Sequence, residues 1–600
     1  MISKIRVLNE ILFKISKILT KDDKKKSIYA FIAIIVSSLL ELLGVAVIVP
    51  FISAVMDPDL LISNKYVSFV MQVLNIEDIS SSILLIMFGI LLIFIYILKN
   101  ICLICSRYIQ NSYQVNLKKN LSITMIKSYL SRQYEYFVNT NIAEINRGII
   151  ADVPGFINIV TTLFTCLAEF ITVSLILGFV LTMDFITSIG LIVIASLCVL
   201  IIIYGCKNAM AKAGIKFRES TAQLNKCFYQ TFNGIKEIFV MQRRKFFLDT
   251  YQKAFEENGK ALKTNLLITS LPERIIEVLV VCGIVVIVCI RIIQGYPADE
   301  YISQLAAIAV ACFRLLPSLN KLTNGVSQIV YNKPCLDSVY ANIAEARELA
   351  GQNSIIQNPT SNIDGNQLTF EKEIEISDIT WRYTNGDRNI LEHLSLKIHK
   401  GESIALIGES GAGKSTLADI IMGLLQPQHG MVTVDGRPIN TDLFQWSKLI
   451  GYVPQSVYLI DDTIRNNVAF GIPEEEIQDE MVWNALKQAR LDEYISKLPH
   501  GLDTIVGDRG IKFSGGQRQR IAIARTMYYD PEIFVLDEAT SSLDDETEKA
   551  VMESIDSLQG RKTLIIIAHR LSTIQKCDKI YEVTQTDIVE RNKSDVFHTS

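Results

Sequence analysis

Six stretches in the first half of the chain are about 20 residues long or more and nearly free of charge, enough for a helix to cross about 30 Å of hydrocarbon. They lie near Ser27 to Met56, Ser82 to Cys105, Phe156 to Met183, Phe185 to Gly205, Glu273 to Ile293 and Ile302 to Val330. Hydrocarbon offers no hydrogen bonds to a backbone, so such segments must pair their own N–H and C=O groups, and an α-helical bundle is the solution. The first stretch follows Lys21, Lys24, Lys25 and Lys26 without a small-residue cleavage site. It therefore reads as a retained anchor.

The loops orient the bundle, because Lys and Arg near a span stay on the cytoplasmic side. The segments Ser106 to Gly155 and Cys206 to Pro272 carry Lys118, Lys119, Arg132, Lys207, Lys212, Arg243, Arg244 and Lys245 among others. Asp57 to Ser81, Asp184 and Gln294 to Tyr301 hold one Lys and are otherwise acidic. Both termini are thus expected in the cytoplasm, with the bundle in the cytoplasmic membrane. The two basic connections have few helix breakers and read as helices continuing beyond the bilayer. Outside, Lys65 to Asn75 has Val67, Val70, Met71 and Leu74 at helical spacing, which suits a surface amphipathic helix at 65–75.

Composition narrows the partners. With 59 basic and 63 acidic residues the formal charge is -4, which supplies no field for a nucleic-acid backbone. The eleven cysteines are scattered, and even Cys102 and Cys105 fall inside an apolar run. They read as small hydrophobes rather than disulfides or metal ligands. The expected division is a membrane domain over 1–345, a polar linker over 346–369 and a soluble domain over 370–600. In the last, apolar strand-like runs such as Ser403 to Ile407, Ile533 to Leu536 and Thr563 to Ile567 alternate with helical stretches, as in a parallel α/β sheet.

That second domain carries phosphate chemistry. Gly408, Glu409, Ser410, Gly411, Ala412, Gly413, Lys414 and Ser415 fit G-x-x-x-x-G-K-[ST] between a strand and a helical run opening at Thr416. The loop N–H groups would cradle phosphates, Lys414 would reach the β- and γ-phosphates, and Ser415 would ligate Mg²⁺. Asp537 closes the strand IFVLD and suits the same metal, while Glu538 one residue on can polarise an attacking water. Phe513 to Gln517 (FSGGQ) puts Ser514, Gly515, Gly516 and Gln517 at a helix N-terminus, where free N–H groups and the dipole favour an anion.

With the strand ending at His569 (TLIIIAHR), this constellation resembles the ATP-binding cassette (ABC) family, and six spans followed by one cassette resemble its exporter-type half-transporters. The resemblance implies an ATP hydrolase coupled to translocation, with ATP and Mg²⁺ bound. It also assigns roles: Tyr383 stacking on adenine, Gln455 linking metal and water to the membrane domain, Asp544 in the cross-dimer loop and His569 on the γ-phosphate. Each ATP would lie between one P-loop and the opposite signature, so a homodimer is implied. Segments around Tyr134 to Asn141 and Gly234 to Arg243 would pass motion to the bundle. Phe513 stands for the usual leucine and Asp508 for the usual glutamate; neither change removes a phosphate donor, so hydrolysis is expected.

Ionisable residues inside the spans are costly and so are candidates for substrate contact. The basic ones are Lys99, Arg274, Arg314 and Lys321, the acidic ones Glu41, Glu169 and Glu277. The segments ELLGVAVIVPFI, LPERIIEV and ACFRLLPSLNK, with the external amphipathic helix and the cassette's GESGAGKSTL and IIIAHRLST, resemble PglK-type flippases for lipid-linked oligosaccharides. Lys99 stands where that resemblance expects arginine. By it the basic residues would hold a lipid pyrophosphate; the alternative is that Arg314 and Lys321 pair with the span glutamates or sit near the cytoplasmic interface. The roughly 27 residues before the first span leave out the N-terminal cysteine peptidase domain of bacteriocin exporters. Export of another lipid, drug or peptide, and a regulatory or channel protein that uses ATP as a signal, stay open at this point.

Overall fold

The computed structural model describes residues 2–56, 81–183, 189–190, 193, 207–293, 298–352, 368–384, 386, 388–507, 510–538, 545–568 and 574–598. The chain divides into two compact units, one formed by 1–132 and 141–352, the other by 133–140 and 353–600.

The first unit is helical throughout its described residues. A short amphipathic helix, Ile2–Ile18, precedes Lys21–Met56, Ser81–Leu130, Val153–Met183, Lys207–Asn233, Arg244–Ile293 and Ala298–Gln352. Three of the described helices are long and apolar enough to cross a membrane: Lys21–Gly44, Ser82–Leu130 and Glu144–Gly178. The fifth and sixth expected spans are parts of Arg244–Ile293 and Ala298–Gln352. Most of the fourth, and the expected helix at 65–75, lie outside the described residues.

The basic connections are helical extensions, as their composition suggests. Ser81–Leu130 and Arg244–Ile293 are each 50 residues, and Ala298–Gln352 is 55; at 1.5 Å per residue these are rods of about 75–82 Å. Small residues let the helices approach. A Cβ added to Gly325 would stand 2.2 Å from the Cys166 Sγ, so Val153–Met183 and Ala298–Gln352 touch there with no room for a methyl group. Hydroxyls stitch the interior: Ser37 donates to Ser106 at 2.6 Å, and Ser338 to the buried Asp152 carboxylate at 2.8 Å.

The expected linker over 346–369 overlaps described elements at both ends. Residues 346–352 continue the helix Ala298–Gln352, since nothing before Gly351 breaks it. At the other end Leu368 and Phe370 are buried in the core of the second unit, because their apolar side chains finish its antiparallel layer. Residues 353–367 lie outside the described residues.

The second unit holds two sheets. β1 (Glu373–Trp381), β2 (Leu391–His399), β4 (His429–Val434) and β5 (Arg437–Pro438) form an antiparallel sheet in the order β2-β1-β4-β5. β3 (Ser403–Ile407), β6 (Ile450–Val453), β7 (Ile533–Asp537), β8 (Thr563–Ile567), β9 (Lys579–Val583) and β10 (Ile588–Arg591) form the other, in the order β10-β9-β3-β8-β7-β6. It is parallel except for β10 at its edge. Residues of β3, β7 and β8 are buried on both faces, which is why these strands read as unbroken apolar runs. One core packs the parallel sheet against the antiparallel one, and a second packs it against helices that include Gly515–Tyr528. The C-terminal ends of β3 and β7 thereby come to one edge, with the P-loop after β3 and Asp537 closing β7.

Candidate nucleotide-binding site

The loop after β3 turns through Gly408, Gly411 and Gly413, which have φ of +140°, +85° and +95°. A Cβ at Gly408 would meet the Val583 carbonyl oxygen at 2.5 Å, and one at Gly413 would meet Leu391 at 2.6 Å. Only glycine tolerates both the conformation and the crowding. Gly413 caps the helix Lys414–Ile421, so its free N–H groups open onto the loop. Lys414 folds back to donate to the carbonyls of Gly408 and Glu409 at 2.8 and 2.9 Å. Two of its three protons are thus engaged, and the third remains for a phosphate oxygen. Burial pushes the Lys414 ammonium below the usual lysine range, while Glu538 and Asp537 pull the other way.

Asp537 ends β7 level with Ile567 of β8, and Glu538 follows with φ +47°. That left-handed conformation is uncommon for a residue with a side chain and marks strain held by the surrounding structure. Its N–H donates to the Ile567 carbonyl at 2.9 Å. Gln455, two residues past β6, donates through Nε2 to the Glu538 carboxylate at 2.5 Å. Adjacency of β6 and β7 makes this contact between residues 83 positions apart in sequence possible.

Two residues beyond the sequence reading join the cluster. Tyr452 hydrogen-bonds Asp537; burial first, then the Asp537 and Asp419 carboxylates, push its phenol upward. Burial, with Asp537 adding to it, raises the Asp419 carboxyl to about 6. Asp419 was visible as the one acid within the apolar run Leu417 to Leu425.

Ser514 is the N-cap of Gly515–Tyr528: its hydroxyl accepts from the Gln517 N–H at 3.3 Å, and the Gln517 side chain accepts from the Ser514 N–H at 2.9 Å. This capping box orients the first turn and leaves the N–H groups of Gly515 and Gly516 facing outward from the helix end. Phe513 is 5% exposed and packs edge-on against Tyr494, ring centroids 6.3 Å apart. Tyr383 stands edge-on to Trp381 at 4.4 Å and is half-buried. Next to it, Thr384 donates its hydroxyl to Glu135, which lies in the short helix Tyr134–Asn139 within this same unit. Asp544, His569 and Asp508 lie outside the described residues.

The donor set fits Mg²⁺, a hard ion that takes oxygens: the Ser415 hydroxyl, the Asp537 carboxylate and the Gln455 amide oxygen are all of that kind. Among the described residues no group of three or more His, Cys, Asp or Glu forms a separate metal site.

Each described basic residue of the spans has a partner of its own. Arg274 pairs with Glu277 at 3.0 Å with both side chains exposed. Lys99 sits over the Tyr96 ring at 4.5 Å. Lys321 forms an ion pair with Glu169, which is nearly buried, and also lines a cavity in the bundle. The Arg314 side chain lies outside the described residues, its backbone within Ala298–Gln352. Of the two expectations for these residues, pairing with span glutamates accounts for the observed partners of Arg274 and Lys321.

Residues 27–307 match the model of the ABC transporter transmembrane region, and residues 391–541 match the ABC transporter model that contains the P-loop. The chain belongs to the ABC transporter family. It is therefore an integral membrane protein with an N-terminal ABC membrane domain and a C-terminal α/β nucleotide-binding domain. An ATP-dependent lipid A-core flippase of Vibrio cholerae is 34% identical over 312 residues, 49% of this chain and 53% of that protein. The chain thus spans about half the length of the first curated relatives it matches. A lipid A-core flippase of Burkholderia orbicola is 27% identical over 82% of this chain and 80% of its own. The fold is that of a bacterial Atm1-family ABC exporter solved with ATP bound, with a TM-score of 0.73, 20% identity and coverage of 96% of this chain and 97% of that one.

Proposed function

We propose that this chain is an ATP-hydrolysing translocase, working as a homodimer, that moves an amphiphilic lipid with a glycan headgroup across the cytoplasmic membrane. The observation that carries the reading is the Gln455–Glu538 contact at 2.5 Å beside the metal-suited Asp537 and the P-loop. Gln455 fixes the orientation of the carboxylate, and Glu538 accepts the proton of an attacking water. Lys414 and the loop N–H groups would hold the phosphates, and Ser415, Asp537 and Gln455 would hold the metal. A bound Mg²⁺ would neutralise charge on the transferring phosphate. Tyr383 stacks on the adenine, and Ser514, Gly515 and Gly516 reach the nucleotide of the opposite cassette, with Asp544 and His569 completing the site. Glu135 beside Thr384 supports a role for Tyr134 to Asn141 in passing cassette motion to the bundle.

For the cargo, the resemblance to PglK-type proteins favours a lipid-linked oligosaccharide, and the relatives that are lipid A-core flippases suggest a second reading, a lipid A-core glycolipid. The test is ATP-dependent loss of surface accessibility of a fluorescent polyprenyl-pyrophosphate oligosaccharide in proteoliposomes bearing the full chain, run beside a lipid A-core glycolipid. Movement of the first supports our reading, and movement of the second alone supports the other. ATP-dependent movement of neither would refute the proposal. The PglK resemblance implies that replacing both Arg314 and Lys321 by Gln abolishes movement, whereas the Lys321–Glu169 pair predicts loss only in proportion to folded protein; wild-type flipping by that variant would exclude a pyrophosphate handle there.

A further inference from the structure

A helix that presents polar side chains at i, i+3, i+4 and i+7 has a polar face. Three helices of the bundle carry that spacing where a membrane domain has least reason for it. Ser81–Leu130 has Arg107, Gln110, Asn111 and Gln114 just past its apolar run. Val153–Met183 has Asn158, Thr161, Thr162 and Thr165. Ala298–Gln352 has Lys321, Asn324, Gly325 and Gln328, the glycine making room between its neighbours. All three faces line one cavity of about 310 Å³.

The polar groups of this cavity are only partly consumed by one another. Asn158 donates to Gln328 at 3.2 Å, Gln110 to Ser106 at 3.2 Å, and the Thr161 and Thr165 hydroxyls to carbonyls of their own helix. The side-chain amides of Asn111, Gln114 and Asn324 make no hydrogen bond among the described residues. Each amide offers two donors and an acceptor. The charge is small: Lys321 is neutralised by Glu169, which leaves Arg107 as the cation of the lining. One wall is aromatic, with the Tyr113 and Phe164 rings 6.2 Å apart.

We propose that this cavity is a docking site for the first sugars of a lipid-borne glycan. Sugar hydroxyls both donate and accept, as amides do, and the C–H face of a pyranose packs on an aromatic ring. A pyrophosphate, carrying at least two negative charges, would find a single uncompensated cation there, and a lipid chain would strand the amides. The size, at the lower end of ligand-pocket volumes, suits one or two sugars of a headgroup inside a larger substrate path. The assignment rests on the reading of the chain as a glycolipid translocase, and it separates the glycan contact from whatever holds the anionic linkage.

The experiment measures equilibrium binding to the full-length wild-type protein in nanodiscs without nucleotide, using two probes, a polyprenyl pyrophosphate bearing an oligosaccharide and the same lipid without sugar. The wild type is expected to bind the sugar-bearing lipid at least tenfold more tightly. Asn111→Leu combined with Asn324→Leu is expected to bring the two affinities within about threefold, and Gln114→Leu alone to narrow the gap. Thermal unfolding of each variant reports whether it is folded, and the wild-type comparison stands without any variant. Equal affinity of the wild type for both lipids would overturn the glycan site and leave the translocase reading standing. Binding of neither lipid would overturn both. Full discrimination by a folded double variant would also overturn the site.

Discussion

Replacing Glu538 by Gln separates nucleotide binding from chemistry. Gln has nearly the same shape, and its amide oxygen can still accept from the Gln455 Nε2 that now lies 2.5 Å from the carboxylate. What changes at this contact is a charge-assisted hydrogen bond becoming a neutral one, about 1 kcal/mol. Binding of nucleotide through Lys414 and the loop N–H groups involves neither atom and should be nearly unaffected. The lost carboxylate is a proton acceptor, and general-base catalysis of this kind contributes about 10²–10⁴-fold, or about 3–5 kcal/mol of barrier. Purified, reconstituted Glu538→Gln should therefore bind ATP within a few-fold of wild type and turn it over at about 1% or less. The assay pairs steady-state phosphate release with equilibrium binding of a fluorescent ATP analogue on the same preparation. Near-normal turnover would refute the assignment. So would binding that falls as far as turnover, because Glu538 would then be holding the nucleotide rather than acting on water.

Phe513 is buried against Tyr494, so Phe513→Leu should keep ATP hydrolysis within a few-fold, under about 1 kcal/mol, and a hundredfold loss would mean that the ring contacts nucleotide. Asp419 has a folded-state carboxyl raised to about 6 from an ordinary 3.8, so the fold favours its neutral form and the penalty on the charged form is present above 6 and relieved as pH falls toward 4. Asp419→Asn should accordingly unfold at a higher temperature than wild type at pH 7.5, with the gap narrowing below pH 6 and closing only near pH 4; a gap of constant size would contradict this. Lys321→Gln strands the nearly buried Glu169, while Glu169→Gln added to it removes the stranded charge. A double-mutant cycle on thermal unfolding should give a coupling of about 1–3 kcal/mol, and additivity would show that the pair contributes nothing.

Signals that depend on neighbours in sequence were readable before any coordinates. The P-loop followed its strand and opened its helix because β3 and the glycines sit within one short segment. The apolar runs of β7 and β8 reported burial on both faces. Residues 346–352 stay helical because polarity does not stop a helix already propagating, and Leu368 acquires its burial from strands far along the chain. The partnership of Lys321 with Glu169 spans 152 positions, and no local rule connects them. The polar faces at 107–114, 158–165 and 321–328 were written in the sequence at helical spacing, yet attention to charge alone passed over their amides. Their convergence on one cavity follows from tertiary packing.

The helix Ala298–Gln352 continues without interruption through Pro317 and Pro334, each of which removes one donor from the backbone ladder. Fifty-five residues at 1.5 Å make a lever arm of about 82 Å. Each degree of tilt at one end then sweeps the other through about 1.4 Å, the scale on which an ion pair forms or breaks. Lys321 lies part-way along that arm. A rotation too small to disturb packing near a fulcrum is thus magnified toward the far tip, to the extent that the helix stays straight through its two prolines.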